Sequence, residues 1–180
     1  NSTNAMSCAS GTLAIGQAFR AIARREADEM LAGGSEAPLY PLCYGSFSLI
    51  RAMSTRNDDP GTASRPFDTG RDGFVMAEGS AVLVLESLEH ALARGAAIYA
   101  EVAGAGLTND AHHMTQPRPD GREAVRAMQL ALAEAGCAPD EVEWVNAHGS
   151  STTLNDSTEA NAIREVFGAH ADALPVSGTK

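Results

Sequence analysis

Cysteine is scarce in this chain, and what there is stands apart. Cys8, Cys43 and Cys137 are the three among 180 residues, and no CxxC pair occurs. An odd count at wide spacing excludes a disulfide framework and a cysteine-built zinc site. A reducing compartment fits best, so the cytoplasm is the expected location. Long apolar runs are missing too: none approaches the roughly 20 residues that cross a bilayer, and no signal peptide is expected. Positive charge is in short supply. Thirteen Lys and Arg stand against 23 Asp and Glu, a formal net charge of −10. This excludes nucleic acid and a polybasic membrane surface as partners. It does not exclude an acidic protein, because a local basic patch can sit on an acidic chain.

What remains is ordinary for a soluble globular protein: 44% hydrophobic and 20% charged residues, and length enough for one domain with a core. The chain opens on Asn1-Ser2-Thr3-Asn4-Ala5 and stops at Ser177-Gly178-Thr179-Lys180, directly after an apolar run. Both ends read as cuts through a larger domain. The expectation is one partial domain over residues 1–180, with no second complete domain.

Apolar residues Ile15, Ala18, Phe19 and Ile22 recur at helical spacing and predict a helix after Gly11. A short strand is expected over 27–32, closed by Gly33-Gly34. Residues 39–53 read as partly helical. Residues 54–72 form a polar loop with two Pro and two Gly, long enough to suggest a function. The apolar runs 73–77 and 81–86, split by Glu78-Gly79, predict two paired, well-buried strands. A short helix over 87–94 ends at Gly95, and 98–107 reads as another strand. Residues 108–120 form a loop with His112 and His113. Asp120 and Glu123 suggest a capping box for a helix reaching Ala135, with Val125, Met128 and Leu132 inward and Gly136 as its stop. Strands over 143–147 and 174–176 flank a helix over 159–167. Alternating strands and helices predict α/β layers around a mostly buried sheet.

Two positions draw attention for chemistry. Cys8 stands where an extended segment turns into a helix, among the small residues Ser7, Ala9, Ser10 and Gly11. Such a turn exposes a thiol and sets it against a helix N-terminus, which favours thiolate and can cradle a thioester oxyanion. The alternative is a small packing cysteine. His148 ends a predicted strand inside Asn146-Ala147-His148-Gly149-Ser150-Ser151-Thr152. Gly149 permits close backbone approach and three hydroxyls follow, a setting for general acid–base work or for a turn histidine that caps backbone. His112 and His113 are adjacent, make a poor metal pair, and read as loop packing. His90 and His170 read as solvated. Cys43, Cys137 and Phe47 read as packing residues. No GxGxxG or P-loop pattern occurs.

Taken in order, the segments resemble the β-ketoacyl-[acyl carrier protein] synthases of the type II elongating kind. The resemblance spans the chain: SCASG (7–11), MLAGGSEA (30–37), MSTRNDD (53–59), RPFDTGRDGFVMAEG (65–79), DAHHMTQP (110–117), VNAHGSST (145–152) and VSGTK (176–180). Several motifs in the right order are far more specific than any single one.

The resemblance implies a thiolase-like α/β fold of layered α-β-α-β-α architecture, here a truncated portion, normally as a homodimer. It implies a decarboxylative Claisen condensation in fatty-acid elongation. Cys8 would take an acyl chain from an acyl carrier protein thioester, and His148 would help decarboxylate malonyl-carrier protein. Lys180 would support a second histidine expected beyond it. Ser150 and Thr152 match pantetheine contacts, Phe47 the acyl pocket, Thr115 the substrate loop, and Arg51 the carrier-protein surface. No metal or redox cofactor is implied. The 180 residues by themselves are expected to be inactive. A polyketide-type ketosynthase is the nearest alternative. A non-catalytic ketosynthase-like partner subunit is disfavoured by Cys8, and a thiol-dependent α/β hydrolase is the third reading.

Overall fold

A computed structural model of the chain describes residues 1–179, so Lys180 lies outside the described residues. In chain order its elements are α1 (Ser10–Ala23), β1 (Glu29–Glu36), α2 (Pro41–Leu49), β2 (Gly79–Glu86), α3 (Leu88–Ala93), α4 (Arg122–Ala135), β3 (Val145–Ala147), α5 (Thr153–Phe167) and β4 (Val176–Gly178). Short 3₁₀ turns at Ser7–Ala9, Pro60–Thr62, Pro139–Glu141 and Gly168–Asp172 punctuate them. The chain forms two compact units. One comprises Asn1–Ala37 and Glu78–Ala105, the other Pro38–Ala77 and the chain from Gly106 onward.

In the first unit β1 and β2 form an antiparallel ribbon, registered from Glu29 opposite Glu86 to Glu36 opposite Gly79. Helix α1 lies on it. Ala18 of the helix, Ala32 and Leu85 make the buried cluster, with Ile15, Phe19, Ile22 and Met30 around it. Period-2 alternation puts Leu31, Val82 and Val84 on the opposite face, where they stand 72%, 60% and 61% exposed. The expectation of well-buried paired strands over 73–77 and 81–86 is therefore corrected. Strand β2 pairs with β1, whereas in 73–77 only Phe74 makes a bridge, to Met53. Strand β1 also runs through Gly33-Gly34 instead of stopping there. A side chain at Gly33 would overlap the Ala81 carbonyl across the ladder, and one at Gly34 would meet Gly11 of α1 at 3.4 Å. The two glycines admit close neighbours and do not end the strand. Residues 98–107 carry no strand: apolar composition suits extended backbone, but a ladder needs a partner, and none pairs with them among the described residues.

Helix α3 is capped by Ser87, whose hydroxyl accepts the His90 amide, and it ends before Gly95 at φ +70°. A clasp joins it to the ribbon. Arg94 donates to both Glu86 oxygens, and His90 Nδ1 lies 2.7 Å from Glu86 Oε1. His90 is thus a bonded, half-buried residue, not the solvated one expected from its polar surroundings. Glu29, Glu86 and His90 bring donor atoms within 4.8 Å of one another, but the Arg94 fork already neutralises the central carboxylate. The Arg94 hydrogen bond first, and the His90 bond second, hold Glu86 down to about 2 from an ordinary 4.5. A carboxyl depressed in the folded state stabilises fully above its unfolded value, and the contribution drains as pH falls through the folded one. We expect the unfolding free energy of the full-length protein to decline from pH 4.5 toward pH 2. The Glu86→Gln variant flattens that decline in urea titrations across the same window. Equal slopes in the two proteins would show that the clasp contributes nothing.

In the second unit β3 and β4 pair in parallel, Val145 opposite Val176 and Ala147 opposite Gly178. Parallel neighbours need a crossover, and α5 lies in the chain between them. Ala147, Ile163, Phe167 and Leu174 form its buried core, joined by Phe67, Met128, Leu132 and Val142. The first strand is shorter than the expected 143–147 and the last is shifted from the expected 174–176, because the ladder runs only from Val145 opposite Val176 to Ala147 opposite Gly178. His170 is half-buried with Nε2 2.7 Å from the Val142 carbonyl, again not solvated. Helix α4 opens differently from the expected capping box. Gly121 is its N-cap at φ +62°, Asp120 accepts the Arg122 amide, and Glu123 pairs with Arg122 and Arg126. Gly136 ends it at φ +64° as expected. Among the described residues no helix is long and apolar enough to cross a membrane.

Candidate active site

The two strongest candidates, Cys8 and His148, fall in different compact units, and each has a built local setting. Cys8 is exposed, in the 3₁₀ turn Ser7–Ala9 that feeds α1. Ser7 ahead of it sits at φ +50°, a left-handed conformation that costs an L-residue with a Cβ about 1–2 kcal/mol. Such strain persists only where surroundings over-determine it, and it gathers at functional turns. The reversal is held by Ala9 N–H donating to Met6 O at 3.1 Å and by the Ser10 side chain. No side chain caps α1, and no acidic residue stands in its first turn. An anion placed beside Cys8 would therefore meet the positive end of a fourteen-residue helix without a competing carboxylate in that turn.

His148 is exposed and follows β3 directly. Its backbone is fixed from below. The Glu159 carboxylate accepts His148 N–H at 2.7 Å and Gly149 N–H at 2.9 Å, while Asn155 Nδ2 donates to the same carboxylate at 3.2 Å. Gly149 sits at φ +47°, and a Cβ there would come within 2.9 Å of Gly178 Cα and 3.3 Å of Pro66 Cβ. Only glycine suits this position on both counts. Ser150 and Thr152 share a hydrogen bond of 2.9 Å between hydroxyls, and Thr152 also caps α5 by accepting Asn155 N–H. Ser151, fully buried at φ +63°, accepts the Arg65 amide at 3.1 Å. Under the turn, Asp156 is completely buried; it accepts Phe67 N–H at 2.8 Å and lies 3.6 Å from Arg71 Nε.

The remaining candidates have separate surroundings. Phe47 on α2 meets Phe74 edge-on, with ring centroids 6.0 Å apart. Arg51 is exposed just past α2 at φ +56°. Thr115 is exposed in the 108–120 loop, where His113 Nδ1 accepts its N–H at 3.1 Å and that of Gln116 at 3.2 Å. The structure brings Ser150 and Thr152 together with His148 in one turn. Lys180 lies outside the described residues.

Two family models cover nearly the whole chain: the beta-ketoacyl synthase N-terminal domain matches residues 2–91 and the C-terminal domain matches residues 99–180. The chain belongs to the beta-ketoacyl synthase family. It is 53% identical over all 180 residues to the "3-oxoacyl-[acyl-carrier-protein] synthase 2" of Synechocystis sp., covering 43% of that protein. It is 52% identical to the protein of that name from Staphylococcus aureus, covering 44%. The chain thus spans less than half the length of these beta-ketoacyl synthases. Among solved structures, 96% of it superposes on 43% of a type II polyketide ketosynthase bound to its acyl-carrier protein, with TM-score 0.93 and 48% identity. It superposes equally widely on a beta-ketoacyl synthase from Burkholderia phymatum, with TM-score 0.89 and 46% identity. Its fold is the thiolase-like α/β fold of these ketosynthases.

Glu159, Asp156 and Arg71 support the turn without standing out in the motifs. Arg71 donates to the Thr152 and Thr153 carbonyls at 3.1 and 2.9 Å while facing Asp156. The signal was present. The run Thr152-Thr153-Leu154-Asn155-Asp156 holds two hydroxyl residues and an acid where a helix start is favoured; Thr152 is the cap, and the helix begins at Thr153, six residues before the expected Glu159. With that start, Asp156 and Glu159 fall three apart on one face.

Proposed function

We propose that the full-length protein containing this chain is an acyltransferase that elongates acyl chains by decarboxylative Claisen condensation with malonyl-[acyl carrier protein]. The observation that carries this reading is an exposed cysteine at a left-handed turn into a helix, in a chain half identical to proteins named 3-oxoacyl-[acyl-carrier-protein] synthase. Cys8 thiolate attacks the acyl thioester carbonyl. A new C–S bond forms, the carrier's thiolate leaves and takes a proton, and the helix N-terminus faces the transient oxyanion. Malonyl thioester then loses CO₂, and the electron pair of the broken C–C bond becomes an enolate. An imidazole N–H of His148 donates to the enolate oxygen. The enolate carbon attacks the acyl-Cys8 carbonyl and expels Cys8 thiolate, giving 3-oxoacyl-carrier protein. Lys180 supports the position and electrostatics of a second histidine, Ser150 and Thr152 hold the pantetheine arm, Phe47 lines the acyl pocket, Thr115 contacts substrate, and Arg51 meets the carrier.

Residues 1–180 belong to one partial ketosynthase domain that works as a cytoplasmic homodimer. An acidic carrier protein is the natural partner for an exposed Arg51, despite the net charge of −10. The polyketide reading keeps a specific support, the 0.93 TM-score to a polyketide ketosynthase. The two differ in product: repeated condensation without reduction marks the polyketide branch.

His148→Ala in the full-length protein tests the mechanism. Loss of one donor to a developing oxyanion costs about a hundredfold or more. We expect condensation to fall by that factor while transfer of the acyl group to Cys8 persists, read by intact-protein mass. Condensation at the wild-type rate would remove His148 from the mechanism.

A further inference from the structure

Ser10 takes no part in the chemistry above, yet it bonds the nucleophile turn three times. Its amide N–H and its hydroxyl both donate to the Ser7 carbonyl, the hydroxyl at 2.8 Å. The same hydroxyl oxygen accepts Met6 N–H at 2.8 Å. One oxygen thus closes the backbone on either side of the Met6–Ser7 step, where the chain enters the left-handed region at Ser7, φ +50°. Ser10 is also the first residue of α1, so the strained turn is fastened to a rigid element. A second tie lies further back: Asn4 Nδ2 donates to Gln17 Oε1 at 2.8 Å and lays the incoming segment along the same helix.

We propose that Ser10 is a positioning residue: its hydroxyl holds the left-handed Ser7 turn and thereby fixes the Cys8 sulfur at the head of α1. This rests on the reading of Cys8 as the nucleophile. Alanine at position 10 removes the acceptor for Met6 N–H and the side-chain donor to Ser7 O. It leaves α1 intact, since alanine is the better helix former. Ser7 then relaxes toward the right-handed φ that a residue with a Cβ prefers, and Cys8 swings with it. Threonine keeps the hydroxyl.

The test compares Ser10→Ala and Ser10→Thr in the full-length protein, each also in a Ser7→Gly background. Readouts are kcat and KM for condensation and the pH profile of Cys8 alkylation by iodoacetamide. Loss of about one net hydrogen bond's worth of restraint predicts a roughly tenfold fall in kcat for Ser10→Ala. KM for the carrier thioester stays near wild type and the alkylation profile shifts. Ser10→Thr restores both. In the Ser7→Gly background the effect of Ser10→Ala shrinks, because glycine enters the left-handed region without the clamp. Wild-type kinetics in Ser10→Ala overturn the proposal. So does a threonine variant as slow as alanine, or an alanine effect undiminished in the Ser7→Gly background. Acyl-enzyme formed normally on Cys8 in the wild type separates these failures from failure of the nucleophile reading, which absence of that adduct would sink together with the proposal.

Discussion

Cys8→Ala is expected to lower condensation by at least about 10⁴-fold in the full-length protein, the scale on which removing a nucleophile that works within a catalytic group is felt. The size of the effect follows from the two-step chemistry. Without the sulfur there is no covalent acyl-enzyme, and no other group in the turn can replace it: Ser7, Ala9 and Gly11 offer no thiol, and the Ser10 hydroxyl is engaged with Met6 and Ser7. Serine at position 8 retains an oxygen at the helix head but is a far weaker nucleophile at neutral pH, so it rescues little. The other thiols provide the control. Cys43 is half-buried on α2, and Cys137 lies 3.4 Å from the Ala138 carbonyl in the turn after α4. Cys43→Ala and Cys137→Ala are expected to condense at the wild-type rate. Intact mass after incubation with acyl-carrier protein reads the same question directly: one adduct in the wild type, none in Cys8→Ala. A Cys8→Ala enzyme retaining a tenth of the activity would refute the assignment.

Local chemistry in this chain was legible from sequence wherever a residue type acts through its own backbone geometry. Gly136 stops α4 and Gly95 closes α3, both with positive φ. Cys8 at a turn into a helix and His148 at the end of a strand are also where the motifs put them. What pattern alone misread depends on neighbours. Gly33-Gly34 looks like a strand terminator, but it is the place where the facing strand comes too close for a side chain at Gly33 and α1 packs directly on Gly34. Residues 81–86 are apolar on both faces, the signature of a buried strand, while only the face toward α1 is covered among the described residues. His90 and His170 sit in polar stretches, yet each has a specific acceptor distant in the fold or one turn back. A histidine's partner is set by tertiary placement, which composition cannot carry. The support beneath His148 was hidden for a simpler reason. The first six residues of α5, Thr-Leu-Asn-Asp-Ser-Thr, hold one apolar side chain, so apolar periodicity marks the helix only from Glu159.

That polar first turn carries the other large prediction. Asp156→Ala is expected to destabilise the full-length protein by about 3–5 kcal/mol, the range for removing one member of a buried ion pair. The Asp156 side chain has no solvent exposure and Arg71 keeps only 15%. Removing the carboxylate leaves a nearly buried guanidinium without its counter-charge and the Phe67 amide without its acceptor. The damage does not stop at the pair. Asp156 anchors the segment Arg65–Phe67, whose Arg65 amide donates to Ser151 and whose Pro66 lies against Gly149. Arg71 meanwhile holds the Thr152 and Thr153 carbonyls. The turn that bears His148 is therefore braced by Asp156 on one side and by Glu159 on the other. Asp156→Asn separates charge from shape: its amide oxygen can still accept Phe67 N–H, so it should lose visibly less than alanine. Urea unfolding of the two variants checks the order. A loss under about 1 kcal/mol in Asp156→Ala, the scale of an exposed pair, would mean that water or a rearranged Arg71 replaces the carboxylate and that the brace under His148 is not Asp156.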